Sequence, residues 1–146
     1  MTGRLRTSAE GLELIKSFEG FRETATRLPD GRWTIGYGHV RTAREGLTIS
    51  QKDAEDLLTY DLKPVEDAVA SYLYAPLLQN QFDALTDFAY NCGAKNLLNS
   101  TLLKRLNDLR YDDAAEQFDK WVFADGKILP GLVKRRAAER ILFETP

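Results

Sequence analysis

Apolar residues recur at helical spacing along most of this 146-residue chain. The first run follows Thr7 and Glu10, which form a capping-box pair, and it ends at Gly20. A longer run with one apolar face follows a second such pair, Thr48 and Gln51. These two patterns predict an N-terminal helix and a long second helix.

The second half of the chain is also predicted to be helical. Pro64 lies inside the long second helix and predicts a kink or a division there. Further helices are predicted over residues 79–91, 100–109, 112–122 and 132–143.

Residues 21–47 break the helical pattern. Pro29-Asp30-Gly31 is a strong turn signal, and apolar residues alternate with small or polar ones over residues 33–38 after it. This pattern predicts a small, glycine-rich β-hairpin that is too short to form a sheet domain alone.

Together these elements predict a single α+β domain over residues 1–146. A small hairpin lobe, about residues 18–48, is joined by a linking helix, about residues 50–72, to a larger all-helical lobe. The helical lobe comprises about residues 75–146 and the N-terminal helix. We expect a groove between the lobes in which a polymer could lie.

Composition excludes several functional classes. The formal net charge of −2 lacks the basic excess of nucleic-acid-binding proteins. No apolar stretch reaches the length of a membrane span or a signal-peptide core, so we expect cytoplasmic synthesis. Cys92 and His39 are the only residues of their types, which excludes an internal disulfide and argues against a metal site. We expect no cofactor.

Glu19 is the carboxylate with the most informative position. It follows the first apolar run and precedes Gly20, which places it at a helix C-terminus. The partial negative charge there, with half-burial beside Phe18 and Phe21, disfavours the charged form. A general acid requires this property near neutral pH, although a surface glutamate in a last helical turn fits the same spacing.

Several motifs occur in an order that resembles one known family. They are EGFR at residues 19–22, GRWTIGYGH at 31–39, NQFDAL at 80–85, NCG at 91–93, STLL at 100–103 and LPGLVKRRAAER at 129–140. Together they cover essentially the whole chain. Their order resembles that of the phage-type lysozymes, the endolysins grouped as glycoside hydrolase family 24.

The resemblance implies a two-lobed lysozyme-like fold and a muramidase activity. The implied reaction is hydrolysis of the β-1,4 bond between N-acetylmuramic acid and N-acetylglucosamine in bacterial peptidoglycan, which causes cell lysis. Glu19 matches the family's general acid, and Thr34 matches the threonine that positions the attacking water. The resemblance also implies a monomer that reaches the cell wall after release, with a pore such as a holin as partner.

Four further residues resemble the family's contacts to sugar. Gly38 and Val40 match backbone contacts from the hairpin lobe, and Tyr90 and Asn91 match contacts from the helical lobe. An aromatic ring suits stacking on a sugar, and a side-chain amide suits an acetamido or hydroxyl group. Tyr90 could equally pack in the core.

The second acidic residue departs from the family pattern. Leu28 occupies the position at which the family usually has an aspartate, and Asp30 lies shortly after it. Asp30 either contributes to catalysis or only caps its own turn. An inverting mechanism would require it to lie about 6.5–9.5 Å from Glu19, carboxyl to carboxyl. The departure leaves two alternatives open: a lytic transglycosylase acting on the same bond, and a catalytically weak peptidoglycan-binding protein.

The remaining conspicuous residues are assigned structural roles. His39 is predicted to pair with a carboxylate that ties elements together, and Cys92 to be a small buried packing residue. The aromatic residues predicted to lie in the core are Trp33, Phe82, Phe88, Phe118 and Trp121. The basic residues of the last helix are predicted to form a solvated face, or alternatively to attract the anionic wall; these are Lys134, Arg135, Arg136 and Arg140.

Overall fold

The computed structural model describes residues 5–146 and confirms the α+β class. The elements are α1 (Ala9–Glu19), β1 (Arg22–Arg27), β2 (Trp33–Gly36), α2 (Gln51–Tyr72), α3 (Gln79–Cys92), α4 (Ala94–Leu98), α5 (Thr101–Asn107), α6 (Tyr111–Gln117), a 3-10 turn (Phe118–Lys120), β3 (Phe123–Ala124), β4 (Lys127–Ile128) and α7 (Pro130–Glu144). None of the helices among the described residues combines the length and the apolar character needed to cross a membrane.

Helix α1 is capped by Ser8, so the predicted cap at Thr7 was wrong. The Ser8 hydroxyl oxygen accepts the N–H of Gly11 at 3.2 Å. Thr7 instead donates its hydroxyl and its backbone N–H to Glu66, at 2.6 and 2.8 Å. Ser8 also donates its backbone N–H to Asp83 at 3.0 Å, which ties the start of the helix to α3.

Helix α2 also begins at a serine cap. The Ser50 hydroxyl oxygen accepts the N–H of Asp53 at 3.1 Å, whereas the predicted cap, Thr48, forms a β-bridge with Thr24. The helix runs unbroken through Pro64, so the predicted division was wrong. A proline removes one donor from the helical ladder, and buried side chains on both sides of it hold the helix together.

Strands β1 and β2 form the predicted antiparallel hairpin. Cα partners include Arg22 with Gly36 and Thr26 with Thr34, with an irregularity between them. Gly36 has φ of 62°, and a Cβ there would lie 3.1 Å from the Cβ of Ala54. Glycine therefore allows both the left-handed backbone and the close approach of β2 to α2.

A second, shorter hairpin was not predicted. Strands β3 and β4 pair around Asp125 and Gly126, whose φ values are 51° and 75°. Two successive residues with positive φ are typical of a tight hairpin turn, for which Asp-Gly is a favoured sequence. The helix predicted to reach residue 122 accordingly ends at Gln117, and the 3-10 turn Phe118–Lys120 follows it.

The chain divides into two compact units, and each has its own buried side chains. The unit Leu12–Lys63 contains most of α1, the first hairpin and the first half of α2. Its buried apolar residues are Ile15, Ala25, Ile35, Tyr37, Ala54, Leu58 and Leu62.

The other unit comprises residues 5–11 and Pro64–Pro146 and holds the larger core. Phe88 packs edge-on against Phe118, with ring centroids 5.8 Å apart, and against the partly buried Trp121 at 5.3 Å. Phe82 is also buried, so the core prediction is confirmed for these three phenylalanines.

Candidate active site

Glu19 is the last residue of α1, as predicted. Gly20 follows with φ of 71°, and its N–H donates to the carbonyl of Lys16 at 2.9 Å. The helix therefore ends at Glu19, which is half-buried. The carboxyl group lies at the C-terminal, negative end of the helix dipole.

The hairpin brings the segment that follows Glu19 alongside the end of β2. Arg22 pairs with Gly36, and the ring of Phe21 lies 5.6 Å from the ring of Tyr37. Thr34 lies on β2 and is buried, with 4% of its surface exposed. The two residues that match the family's acid and water-positioning threonine thus lie on α1 and β2 of one unit.

Asp30 lies in the hairpin turn, where Arg32 engages both of its carboxylate oxygens. One oxygen accepts the backbone N–H of Arg32 at 3.0 Å, and the other accepts its Nε at 2.7 Å. These hydrogen bonds hold the pKa of Asp30 below its usual value. The half-buried Leu28 closes the turn by donating its N–H to the carbonyl of Arg32 at 2.6 Å. The local turn therefore accounts for the observed bonds of Asp30.

His39 fixes the backbone that carries Gly38 and Val40. Its Nδ1 lies 2.6 Å from Oδ2 of Asp61 on α2, and its Nε2 lies 2.7 Å from the hydroxyl of Thr42. The predicted pairing of His39 with a carboxylate is confirmed. Because the imidazole is buried and held at both nitrogens, the loop between β2 and α2 has a defined path.

Tyr90 and Asn91 lie at the end of α3, in the unit that contains Pro64–Pro146. Tyr90 is half-buried and Asn91 is exposed. The side-chain oxygen of Asn91 accepts a hydrogen bond from Nη2 of Arg136 at 2.6 Å. Cys92 is half-buried and also contacts Arg136, and burial raises the pKa of its thiol.

A buried ion-pair network joins α3 to α7. Arg135 donates to both carboxylate oxygens of Asp87, at 3.0 and 2.9 Å. Arg136 donates from Nη2 to Glu139 at 2.9 Å, and its Nε lies 2.7 Å from the other oxygen without hydrogen-bond geometry. These four side chains are at most 6% exposed. The prediction of a solvated basic face was therefore wrong for Arg135 and Arg136.

The network was missed because Asp87 lies 48 positions before Arg135 in the sequence, although Glu139 lies on the same helix as both arginines. Burial of these four charged side chains is tolerated because two guanidinium groups face two carboxylates. Desolvation and the neighbouring Asp87 raise the pKa of Glu139 well above its usual range, although both arginines act in the opposite direction. The available signal was Asp87 itself, a carboxylate within the otherwise largely apolar stretch at residues 82–89.

The comparisons with known proteins agree over nearly the whole chain. The family model described as phage lysozyme matches residues 16–139. The endolysin of Acyrthosiphon pisum secondary endosymbiont phage 1 is 43% identical over 145 residues, which span 97% of this chain and 99% of that protein.

Solved structures give the same result. The muramidase domain of SpmX from Asticaccaulis excentricus superimposes with a TM-score of 0.93 at 47% identity, covering 98% of this chain and 100% of that chain. The endolysin from Escherichia coli O157:H7 phage FAHEc1 gives a TM-score of 0.92 at 33% identity, covering 99% and 97%. The fold is therefore lysozyme-like, and this chain belongs to the phage lysozyme family.

Proposed function

We propose that this chain is an endolysin-type lysozyme that hydrolyses the β-1,4 bond between N-acetylmuramic acid and N-acetylglucosamine in bacterial peptidoglycan. One observation carries the proposal: Glu19 ends α1 directly before the hairpin that holds Thr34, in a chain that belongs to the phage lysozyme family. The endolysin and muramidase names of its relatives support the same class of substrate.

Glu19 acts as the general acid in this proposal. Its carboxyl proton passes to the glycosidic oxygen as the bond to the anomeric carbon breaks, and the leaving sugar departs with a new hydroxyl group. Thr34 orients a water molecule that adds to the anomeric carbon. The proton released by that water goes to a carboxylate or to solvent, which completes the hydrolysis.

Four residues are proposed to contact the glycan. Gly38 and Val40 contribute backbone groups whose path His39 fixes, while Tyr90 and Asn91 contribute an aromatic ring and an amide. Asp30 is a candidate for the second carboxylate, and its bonds to Arg32 favour a role in the turn. We further propose a monomer made in the cytoplasm that reaches the wall through a partner pore such as a holin.

Product analysis of digested peptidoglycan tests the proposed reaction. Mass spectrometry should find glycan fragments with reducing muramic acid ends. Fragments with 1,6-anhydro ends would identify a lytic transglycosylase instead, and the absence of products would identify a binding protein.

Two variants test the role of Glu19. We expect Glu19→Gln to retain the fold, by circular dichroism, and to lose wall-clearing activity in a turbidity assay. The matched control is Glu23→Gln, which changes an exposed carboxylate on β1 and should keep full activity. More than a few per cent of activity in Glu19→Gln would remove Glu19 from the role of general acid.

A further inference from the structure

The second hairpin and the start of α7 expose large apolar side chains. Phe123 and Ile128 are Cα partners on β3 and β4, so their side chains lie on the same face of the hairpin. They are 59% and 58% exposed, and Leu129 and Val133, where α7 begins, are 42% and 43% exposed. We call these four residues the hairpin patch. Exposed apolar patches are typical of surfaces that contact proteins or membranes.

The hairpin that carries the patch is held at its turn and at its base. Asp125 and Gly126 adopt the positive φ values of a tight turn. At the base, the N–H of Leu129 donates to the carbonyl of Val122 at 3.0 Å, and the ring of Trp121 packs against the core. The apolar side chains are therefore presented by an ordered segment, so burying them against a partner costs little additional conformational entropy.

Lysines accompany the patch along the sequence. Lys120, Lys127 and Lys134 are exposed, and within residues 5–146 none of them forms an ion pair. Asp125 is the only acidic residue between positions 120 and 134, so this segment has a formal charge of +2. The whole chain has a formal charge of −2. The patch thus lies in a locally cationic segment of an acidic protein.

We infer that the hairpin patch is a docking surface for an anionic phospholipid membrane. Its apolar side chains enter the boundary between the headgroups and the acyl chains, and the three lysines lie against the lipid phosphates. The lysines favour a membrane over a protein partner, because lysine is depleted in protein–protein interfaces and attracted to anionic lipid surfaces. This inference goes beyond the proposed function and is independent of it, since a phospholipid membrane contains no wall glycan.

The test measures binding of the whole chain to vesicles by co-sedimentation. We expect binding to vesicles that contain phosphatidylglycerol, and much weaker binding to phosphatidylcholine alone. Phe123→Ser combined with Ile128→Ser should weaken binding to the anionic vesicles about 10-fold or more, because over half of each side chain is available for burial. Tyr74→Ser, which removes an exposed ring elsewhere in the same unit, is the control and should leave binding unchanged.

The contribution of the lysines is tested separately. Replacing Lys120, Lys127 and Lys134 by glutamine should weaken binding to the anionic vesicles by about 5-fold per lysine and reduce its dependence on salt. Lys95→Gln, which changes an exposed lysine of α4, is the control and should bind as the wild type does. Equal binding of the wild type to the two kinds of vesicle would overturn the role of anionic lipid.

Insertion is measured with Phe123→Trp, which keeps an apolar ring on the hairpin. In anionic vesicles with brominated acyl chains, its fluorescence should be quenched more than that of the wild type, whose tryptophans are Trp33 and Trp121. Circular dichroism verifies the fold of each variant. Absence of vesicle binding by the wild type, or undiminished binding by the double serine variant, would overturn the inference. A dimer that the serine variant abolishes, without vesicle binding, would assign the patch to a second copy of the chain instead.

Discussion

His39 and Asp61 form a partly buried hydrogen bond of 2.6 Å that connects the loop after β2 to α2. Removing either partner leaves the other without its hydrogen bond in a largely dry environment. We expect His39→Ala and Asp61→Ala each to lower the free energy of unfolding by about 2 kcal/mol in urea denaturation. Lys63→Ala, which removes an exposed side chain of α2, should change it by less than about 0.5 kcal/mol. Fully additive effects in the double variant would contradict direct coupling.

Variants at Asp30 and Leu28 test whether Asp30 is the second catalytic carboxylate or only caps its turn. Asn in place of Asp30 keeps an acceptor for the N–H of Arg32, so Asp30→Asn should be nearly silent if the residue only caps the turn. Leu28→Asp should then raise the wall-clearing rate by adding a charge at the family's usual position. A fall in kcat of about 10²-fold or more in Asp30→Asn would instead assign Asp30 to catalysis. We expect the silent outcome, because Arg32 already engages both oxygens.

Substitution of Gly36 is predicted to destabilise the fold for two reasons that can be measured separately. Alanine there must adopt positive φ, and its Cβ would lie 3.1 Å from that of Ala54. We expect Gly36→Ala to lower the free energy of unfolding by about 2–4 kcal/mol, from backbone strain and crowding together. Gly46 also has positive φ but nothing lies within 4 Å of its added Cβ, so Gly46→Ala should show the strain alone. Equal losses in the two variants would show that the contact with Ala54 relaxes freely.

The raised pKa of Glu139 predicts a pH dependence of stability. A carboxyl whose pKa is higher in the folded state stabilises the fold below its unfolded value, near 4.5, and this contribution is lost as the pH rises through the folded value. From pH 4 to 8, the free energy of unfolding of the wild type should therefore fall relative to that of Glu139→Gln. Glu116→Gln, at an exposed position of α6, is the control and should give a flat difference. A difference that rises with pH would mean that the arginines outweigh desolvation.

Helices and the first hairpin could be predicted because their signals are local. Helix α3 ends at Cys92, close to the expected residue 91, since Gly93 supplies a helix stop. The capping residue of α1 could not be predicted from the local sequence. Thr7 and Ser8 are both good caps, and the decision depends on Glu66, which accepts from Thr7 and leaves Ser8 to cap α1.

The residues of the candidate site also differ in whether local sequence predicts their position. The position of Glu19 at a helix end follows from the residues around it, and so does the turn that holds Asp30. The burial of Arg136 does not, because it depends on Glu139 beside it and on Asn91, which lies 45 positions earlier in the chain. The sequence around Arg136 is rich in charged residues, which is typical of a solvated helix face.

The anchoring of Thr7 and Ser8 has a consequence for the order of folding during synthesis. Their partners, Glu66 and Asp83, follow them by 59 and 75 residues, so the N-terminal segment leaves the ribosome long before its binding positions exist. The unit formed by Leu12–Lys63 can assemble from contiguous chain, whereas the unit that includes α7 must combine residues 5–11 with residues made much later. Such long sequence separations slow folding, because the entropy cost of closing the loop arises before the stabilising contacts have formed. The helical unit should therefore complete its structure only after α7 has been synthesised.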